Sequence, residues 1–392
     1  MNRPLASQAQ SDRDPRPPSA KIGMIGAGQL ARMTHQAAIA LNIELRVLTD
    51  DLDAPAVRAG AIPILGSPAH PRDLEALAAG CDVVTFDHEL TQPRLLANLD
   101  QDATVRPSPL AKHLAQDKLH ARETLAQAGF RVPPFARVDG ATDIDAFAER
   151  HGWPVVVKAR AGGYDGRGVW ITHDHHDAAR IRQCALSAGR ELLVEAHVDI
   201  QSELAVLVAR RPSGDSAVYP VMETRQYDAI CQEVVAPAAI SDEHADEARR
   251  LAVSIADDVD AAGLLALELF LTADGLVVNE LALRPHNCGH LTIDACPTSQ
   301  FEQHLRAILD WPLGDTRLLA PAAAMVNILG AADGSDPTLR LADALAVPQA
   351  RVHLYAKTPT SGRKLGHVTA LGEDGQEALH HARNAAAALV RR

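Results

Sequence analysis

The chain has 392 residues, 47% of them hydrophobic and 22% charged, with a formal net charge of −12. That balance is globular and long enough for two or three domains, and the acidic surplus excludes general nucleic-acid binding, which needs a basic surface. No apolar run reaches the roughly 18 residues of a bilayer span, so no membrane association is expected.

Residues 1–20 are polar, with Pro15, Pro17 and Pro18, and lack the apolar core of a secretory signal, so a disordered leader is expected. The first domain is expected over 21–131. Its opening strand runs into Gly26-x-Gly28-x-x-Ala31 and a helix, and a second strand, Glu44 to Leu48, ends at Asp50 and Asp51. This is the spacing of a dinucleotide-binding turn, so an NAD-dependent oxidoreductase competes as a reading. The plainer reading is a Rossmann-like turn that packs tightly without a dinucleotide. A buried strand at Asp82 to Phe86 leads into Asp87-His88-Glu89, carboxylates at a strand end where open α/β sheets bind ligands; solvated loop acids are the alternative. A helical connector from Pro107 to Phe130 contains Gln116-Asp117-Lys118.

The second domain, 132–195, is built around Pro154 to Ile171. A β-branched run ends at Lys158, a second apolar run begins at Val169, and between them lie Gly162, Gly163, Gly166 and Gly168. Strand, glycine loop, strand is a hairpin whose backbone N–H groups can approach an anion closely, with Lys158 and Arg160 or Arg167 adding charge beside it. A lid over nucleotide phosphates is the expectation, against an ordinary glycine-rich turn. The tract Thr172 to Asp177, with His173, His175 and His176, looks metal-binding, but its place between strand and helix predicts an exposed turn with an N-cap.

The third domain, 196–392, holds Glu268 and Glu280 inside two consecutive apolar strands joined by a turn at Ala273-Asp274-Gly275. A carboxylate in a buried strand is costly unless paired or bound to a cation. Two of them on adjacent strands can converge on Mg²⁺, or form salt bridges, with Arg284 a possible partner. The loop Arg284-Pro285-His286-Asn287-Cys288-Gly289-His290 is dense in hydrogen-bonding groups. Its cysteine reads as a nucleophile or, more commonly, as buried filler. The five cysteines show no CxxC pair, so neither a disulfide framework nor a thiolate zinc site is indicated, and a reduced, cytoplasmic setting fits.

In order along the chain, Gly26 to Met33, Gly162 to Gly168, Arg284 to His290 and Gly362-Arg363-Lys364-Leu365-Gly366-His367 resemble the 5-(carboxyamino)imidazole ribonucleotide synthase family of ATP-grasp ligases. The resemblance covers about Lys21 to Val368. It implies an α/β fold, α+β in the ATP-binding half, of three domains with a Rossmann-like first domain. It also implies ATP and Mg²⁺ as cofactors, 5-aminoimidazole ribonucleotide and bicarbonate as reactants, and a homodimer.

Carried over by motif, Lys118 and Lys158 hold ATP phosphates under the lid of Gly163, Tyr164, Asp165, Gly166, Arg167 and Gly168. Glu195 with Ala196, His197 and Val198 meets the adenine, Glu203 the ribose, and Asn279 adjoins the nucleotide. Glu268 and Glu280 hold Mg²⁺, and Arg284, His286 and Asn287 serve bicarbonate or carboxyphosphate. Gln29, Leu30, Glu89, Tyr164, Asp165, Arg167, Lys357, Arg363 and Lys364 bind the ribonucleotide, the last three at its 5′-phosphate. The chain departs from the family pattern at Cys288 (commonly Ser), Thr360-Ser361 (Arg-Pro), Gln226-Tyr227 (His-Arg) and Lys118 (often Arg).

Overall fold

Runs of Val, Ile and Leu separated by Gly- and Asp-rich turns collect into three sheets in chain order. The computed structural model describes residues 19–140, 142–163, 168–227 and 229–390. The expected leader through residue 18 and the lid residues Tyr164, Asp165, Gly166 and Arg167 lie outside these described residues. The first sheet is parallel, with β1 (Lys21–Ile25), β2 (Glu44–Thr49), β3 (Ile62–Leu65) and β4 (Val83–Phe86) in the order β3-β2-β1-β4. Ala31 and Ala38 of the helix Gln29–Ala40 pack on one face, beside Ile22, Met24, Leu45 and Val47. Leu74 and Leu77 of Pro71–Ala78 pack on the other, beside Ile25 and Phe86.

The second sheet is antiparallel: β5 (Phe135–Val138), β6 (Val155–Ala159), β7 (Val169–Thr172) and β8 (Leu192–Ala196), in the order β5-β8-β6-β7. Helices Asp143–His151 and His175–Ser187 cover it through Ile144, Phe147, Ala178 and Ile181. The histidine tract is the exposed start of the second of these, where Asp174 accepts from His176 N and Asp177 N, each at 2.9 Å.

The third sheet, nine-stranded among the described residues, comprises β9 (Ser202–Arg210), β10 (Ser216–Val218), β11 (Met222–Tyr227), β12 (Ile230–Ala236), β13 (Gly263–Thr272), β14 (Gly275–Ala282), β15 (Ala322–Leu329), β16 (Ala350–Leu354) and β17 (Lys364–Gly372). Its order is β14-β13-β9-β11-β12-β15-β17-β16, with β10 on β9. Side chains alternate between faces along a strand. On β9, Leu204, Val206 and Val208 meet Ala248, Ala252 and Ile255 of the helix Asp242–Asp258. Ala205, Leu207 and Ala209 point the other way, toward Cys288, Leu291 and Ala307. Each buried Leu or Val here contributes roughly 1.5–3 kcal/mol. The same parity puts Glu203 and Glu268 on the second face, under the 284–290 loop. Leu305 and Ile308 of the helix Gln300–Ile308 join the core of the first domain, locking it against this sheet.

Candidate active site

Glu268 and Glu280 sit directly opposite each other on β13 and β14, and the register shifts between Glu268 and Leu269. Asn279 is therefore the extra residue of a bulge. A bulge re-aims a side chain that would otherwise point away, so both Asn279 and Glu280 reach one cleft. Asn279 Nδ2 lies 3.4 Å from Glu268 Oε2, and Lys158 Nζ donates to Asn279 Oδ1 at 3.3 Å. Burial and the neighbouring Glu280 and Glu203 carboxylates push Glu268 up to about 7. Burial also acts upward on Glu280, but Lys118, Lys158 and His286 outweigh it and hold Glu280 at about 2. Glu280 stays 46% accessible, its carboxylate ringed by protein yet open to the cleft. Glu203 accepts from Gln226 Nε2 at 2.6 Å, which gives the departed Gln226 position a concrete role.

The two lysines arrive from different domains. Lys118 opens the helix Lys118–Gln127, which Asp117 caps by accepting from Leu119 N at 3.0 Å and His120 N at 3.2 Å. Asp117 also receives Arg160 Nη2 at 2.5 Å, and Lys118 N donates to Arg160 O at 2.8 Å. The end of β6 is thereby fastened to the helix start, setting Lys118 beside Lys158. Arg160 is spent on Asp117 and on Glu191, 3.1 Å away, which corrects the expectation that it adds charge to the lid. Lys118 Nζ meets Glu280 Oε1 at 2.7 Å.

Lys158 Nζ meets Glu195 Oε2 at 2.7 Å, and Arg122 Nε meets the other Glu195 oxygen at 2.8 Å. Arg122 follows Lys118 by four residues on the same helix face, and its Nη2 also donates to Asn279 O. Glu195 is 2% exposed, its carboxylate held between these two cations, and Ala196, His197 and Val198 continue from it toward β9. Gly163 and Gly168 close onto the end of β6, where Ala159 N donates to Gly168 O at 2.7 Å.

Arg284 does not pair with the strand acids. Its Nε lies 2.7 Å from Glu89 Oε1 and its Nη2 donates to Glu89 Oε2 at 2.9 Å, bridging the first and third domains. Beneath, Lys112 Nζ donates to Glu89 O and Thr91 O, both at 3.0 Å, and burial lowers it to about 8. His286 is clamped by Gln300, which accepts from His286 N at 2.9 Å and donates to His286 O at 2.8 Å. His286 Nε2 stands 3.7 Å from Glu268 Oε1. Burial, then Arg284 and Lys364, lower the ring to about 4. Asn287 and Asn327 exchange amide hydrogen bonds of 3.0 and 2.8 Å, and Asn327 Nδ2 also donates to Cys231 O at 2.9 Å.

At the last sheet, Lys357 Nζ reaches Gln29 Oε1 and lies 3.3 Å from Lys364 O. Arg363 is exposed, with Nη1 donating to Thr358 O at 3.2 Å. Leu30 is packed with Met33, Phe301 and Tyr355, so it presents backbone alone.

The glycine turn settles the oxidoreductase rival. Asp87 is buried and accepts from Gly28 N at 2.8 Å. Gly26, at φ +104°, leaves so little room that a Cβ there would fall 1.8 Å from Asp87 Oδ1. The carboxylate stands where a pyrophosphate would need to approach, and a dinucleotide has no entry.

Asp117, Arg122, Asn327 and Lys112 belong to this constellation without a sequence reading of their own. The i,i+4 spacing of Lys118 and Arg122 was the one available signal among them.

Residues 19–116 match the ribonucleotide synthetase preATP-grasp domain, 123–301 the ATP-grasp domain, and 323–381 the phosphoribosylaminoimidazole carboxylase C-terminal domain. The N5-carboxyaminoimidazole ribonucleotide synthase of Mycobacterium tuberculosis is 49% identical over 373 residues, 93% of this chain and 86% of that protein. The ADP complex of an N5-carboxyaminoimidazole ribonucleotide synthetase superposes with a TM-score of 0.88 at 34% identity, over 94% of this chain and 96% of that one. The Aspergillus clavatus N5-carboxyaminoimidazole synthase, in complex with ADP and 5-aminoimidazole ribonucleotide, gives a TM-score of 0.85 at 32% identity, over 95% and 99%. With likeness of sequence and of fold running through all three sheets, the chain belongs to the N5-carboxyaminoimidazole ribonucleotide synthase family of ATP-grasp enzymes.

Proposed function

We propose that the chain joins bicarbonate to the exocyclic amine of 5-aminoimidazole ribonucleotide, coupled to cleavage of ATP to ADP and phosphate, in de novo purine biosynthesis. Bicarbonate is a poor electrophile. Transfer of the γ-phosphoryl group to one of its oxygens gives carboxyphosphate, whose carbon the amine takes directly or as carbon dioxide. A C–N bond forms, the bond to the phosphate-bearing oxygen breaks, phosphate leaves and the amine gives up a proton. Such chemistry asks a protein for positioning and charge neutralisation.

One observation carries the reading: Glu268 has Glu280, with its Lys118 partner, on one side and His286 on the other, at 3.7 Å. The groups suited to ATP phosphates thus adjoin the groups suited to a small oxyanion. In this reading Lys118 and Lys158 take the β- and γ-phosphates, displacing Lys118 from Glu280. Arg284 and Asn287 orient bicarbonate, and His286, neutral at physiological pH, offers a hydrogen bond without adding charge. Lys357, Arg363 and Lys364 take the ribonucleotide's phosphate, and Glu89 accepts from its polar groups.

Glu268 and Glu280 are hard oxygen donors whose mutual repulsion, visible in the raised Glu268 carboxyl, a divalent cation relieves. Two carboxylates suit Mg²⁺, a metal that takes one or two carboxylates and keeps waters and phosphate oxygens. Glu268 and Glu280 would hold the Mg²⁺, which would supply charge neutralisation to phosphate oxygens. We take the working unit to be a homodimer, which light scattering on the purified chain tests.

The decisive experiment is phosphate release from ATP with candidate ribonucleotide amines, in bicarbonate or in formate. Release that needs 5-aminoimidazole ribonucleotide and bicarbonate is expected. Turnover with formate alone would overturn the reading.

A further inference from the structure

The loop carrying His286 holds a thiol that the reaction above leaves unused. Cys288 is 1% exposed, and its Sγ lies 3.2 Å from His286 Nδ1. The other ring nitrogen, Nε2, faces Glu268 Oε1 at 3.7 Å. Gln300 holds the His286 backbone at both its N–H and its carbonyl, so the ring enters the cleft from a fixed base.

A neutral imidazole carries one proton, and the hydrogen bond made by one nitrogen decides the role of the other. The buried thiol carries a hydrogen, and Nδ1 at 3.2 Å is the acceptor beside it, so the one proton of the neutral ring sits on Nε2. Burial keeps the thiol protonated, which also removes it as a nucleophile.

We propose that Cys288 is a positioning residue that donates its S–H to His286 Nδ1 and so fixes the tautomer presenting Nε2–H to the cleft beside Glu268. A serine hydroxyl can replace this donor; an alanine methyl cannot. The proposal rests on the assigned reaction for its kinetic assay alone.

The test compares Cys288→Ser with Cys288→Ala. A packing role predicts that Ala is the better tolerated, because a hydroxyl in an apolar pocket is penalised. The donor role predicts the reverse order. Cys288→Ala should lose about tenfold in kcat, Cys288→Ser should be several-fold faster than Cys288→Ala, and KM for ATP should barely move in either. The direct measurement is ¹⁵N NMR of histidine-labelled protein, with the His286 signals assigned by their loss in His286→Gln. Wild type and Cys288→Ser should show Nδ1 unprotonated and Nε2 protonated, and Cys288→Ala a mixture. Equal kcat for the two variants, or a wild-type His286 carrying its proton on Nδ1, would overturn the proposal. The NMR measurement on wild type needs neither substrate nor a variant at Cys288, so it decides the point even if both variants fail to fold or the assigned reaction is wrong.

Discussion

Changing Glu195 and Glu280 to glutamine, one at a time, should separate a charge that holds the protein together from a charge that works on the nucleotide. The Glu195 side chain is 3% exposed and lies between Lys158 at 2.7 Å and Arg122 at 2.8 Å, themselves 10% and 2% exposed. In Glu195→Gln two buried cations face a neutral amide. Removing one member of a buried ion pair costs about 3–5 kcal/mol, and mutual repulsion of the survivors puts this case toward the upper end. Glu280 is 46% accessible and meets Lys118 at 2.7 Å. Pairs open to water contribute about 0–1 kcal/mol, so Glu280→Gln should unfold within about 1 kcal/mol of wild type. Turnover should show the opposite ranking. Glu280→Gln loses a carboxylate assigned to phosphate-bound metal and should fall about 10²–10³-fold in kcat. Urea titration of each variant, with coupled phosphate release at 25 °C, reads both quantities. A Glu280→Gln protein as destabilised as Glu195→Gln but turning over near the wild-type rate would refute the reasoning.

Asp117→Ala removes a helix cap and the Arg160 tie, and should cost about 1–2 kcal/mol while raising KM for ATP, because Lys118 loses its fixed start; urea titration and initial rates check it. Asn327→Leu leaves the Asn287 amide without its reciprocal bonds, so kcat should drop about 10–100-fold with little change in KM for ATP, measured by the same phosphate-release assay. Burial lowers His304 from 6.5 to about 3, and lowers His290 and His367 as well. The unfolded chain then binds protons that the folded one refuses. Stability is full above the unfolded value near 6.5 and should fall as pH drops below it, by about 2 kcal/mol from His304 near pH 5, with His290 and His367 acting in the same direction. Urea titrations at neutral and mildly acid pH, with His304→Gln expected to shrink the difference, measure this.

The parts of the site legible in the sequence are those that break a local rule. Glu268 and Glu280 stand out because a carboxylate interrupts an apolar strand, and strand parity then fixes the face on which Glu268 lies. Lys158 and the flanking glycines stand out because a hairpin seldom needs so many. What escaped was set by pairing over long sequence distances. Arg122 finds Glu195 across 73 residues, Arg160 finds Asp117 across 43, and Asn327 finds Asn287 across 40. The i,i+4 spacing of Arg122 from Lys118 and the capping position of Asp117 mark a helix but not a partner, and Arg160 and Asn327 look like ordinary surface residues until the sheets are placed. Glu195 shows the converse limit. Its position is where the resemblance puts a nucleotide contact, yet its carboxylate is already committed to two cations, and burial, which pushes it up, is outweighed by Lys158 and Arg122.

Asp87 gives the first domain a ligand of its own. A carboxylate held at the end of the neighbouring strand, 59 residues from Gly28 in sequence, behaves like a competitor at an effective concentration on the order of millimolar or above. It is replenished the instant it leaves. A free phosphate arriving at Gly28 must evict this resident and break its 2.8 Å bond to the backbone amide. The turn is therefore a joint already filled from within the protein. A phosphate-bearing ligand is turned away from the glycines and toward the cation-rich side of the cleft. Opening the turn to dinucleotides would require removal of Asp87 before any change to the glycines could matter.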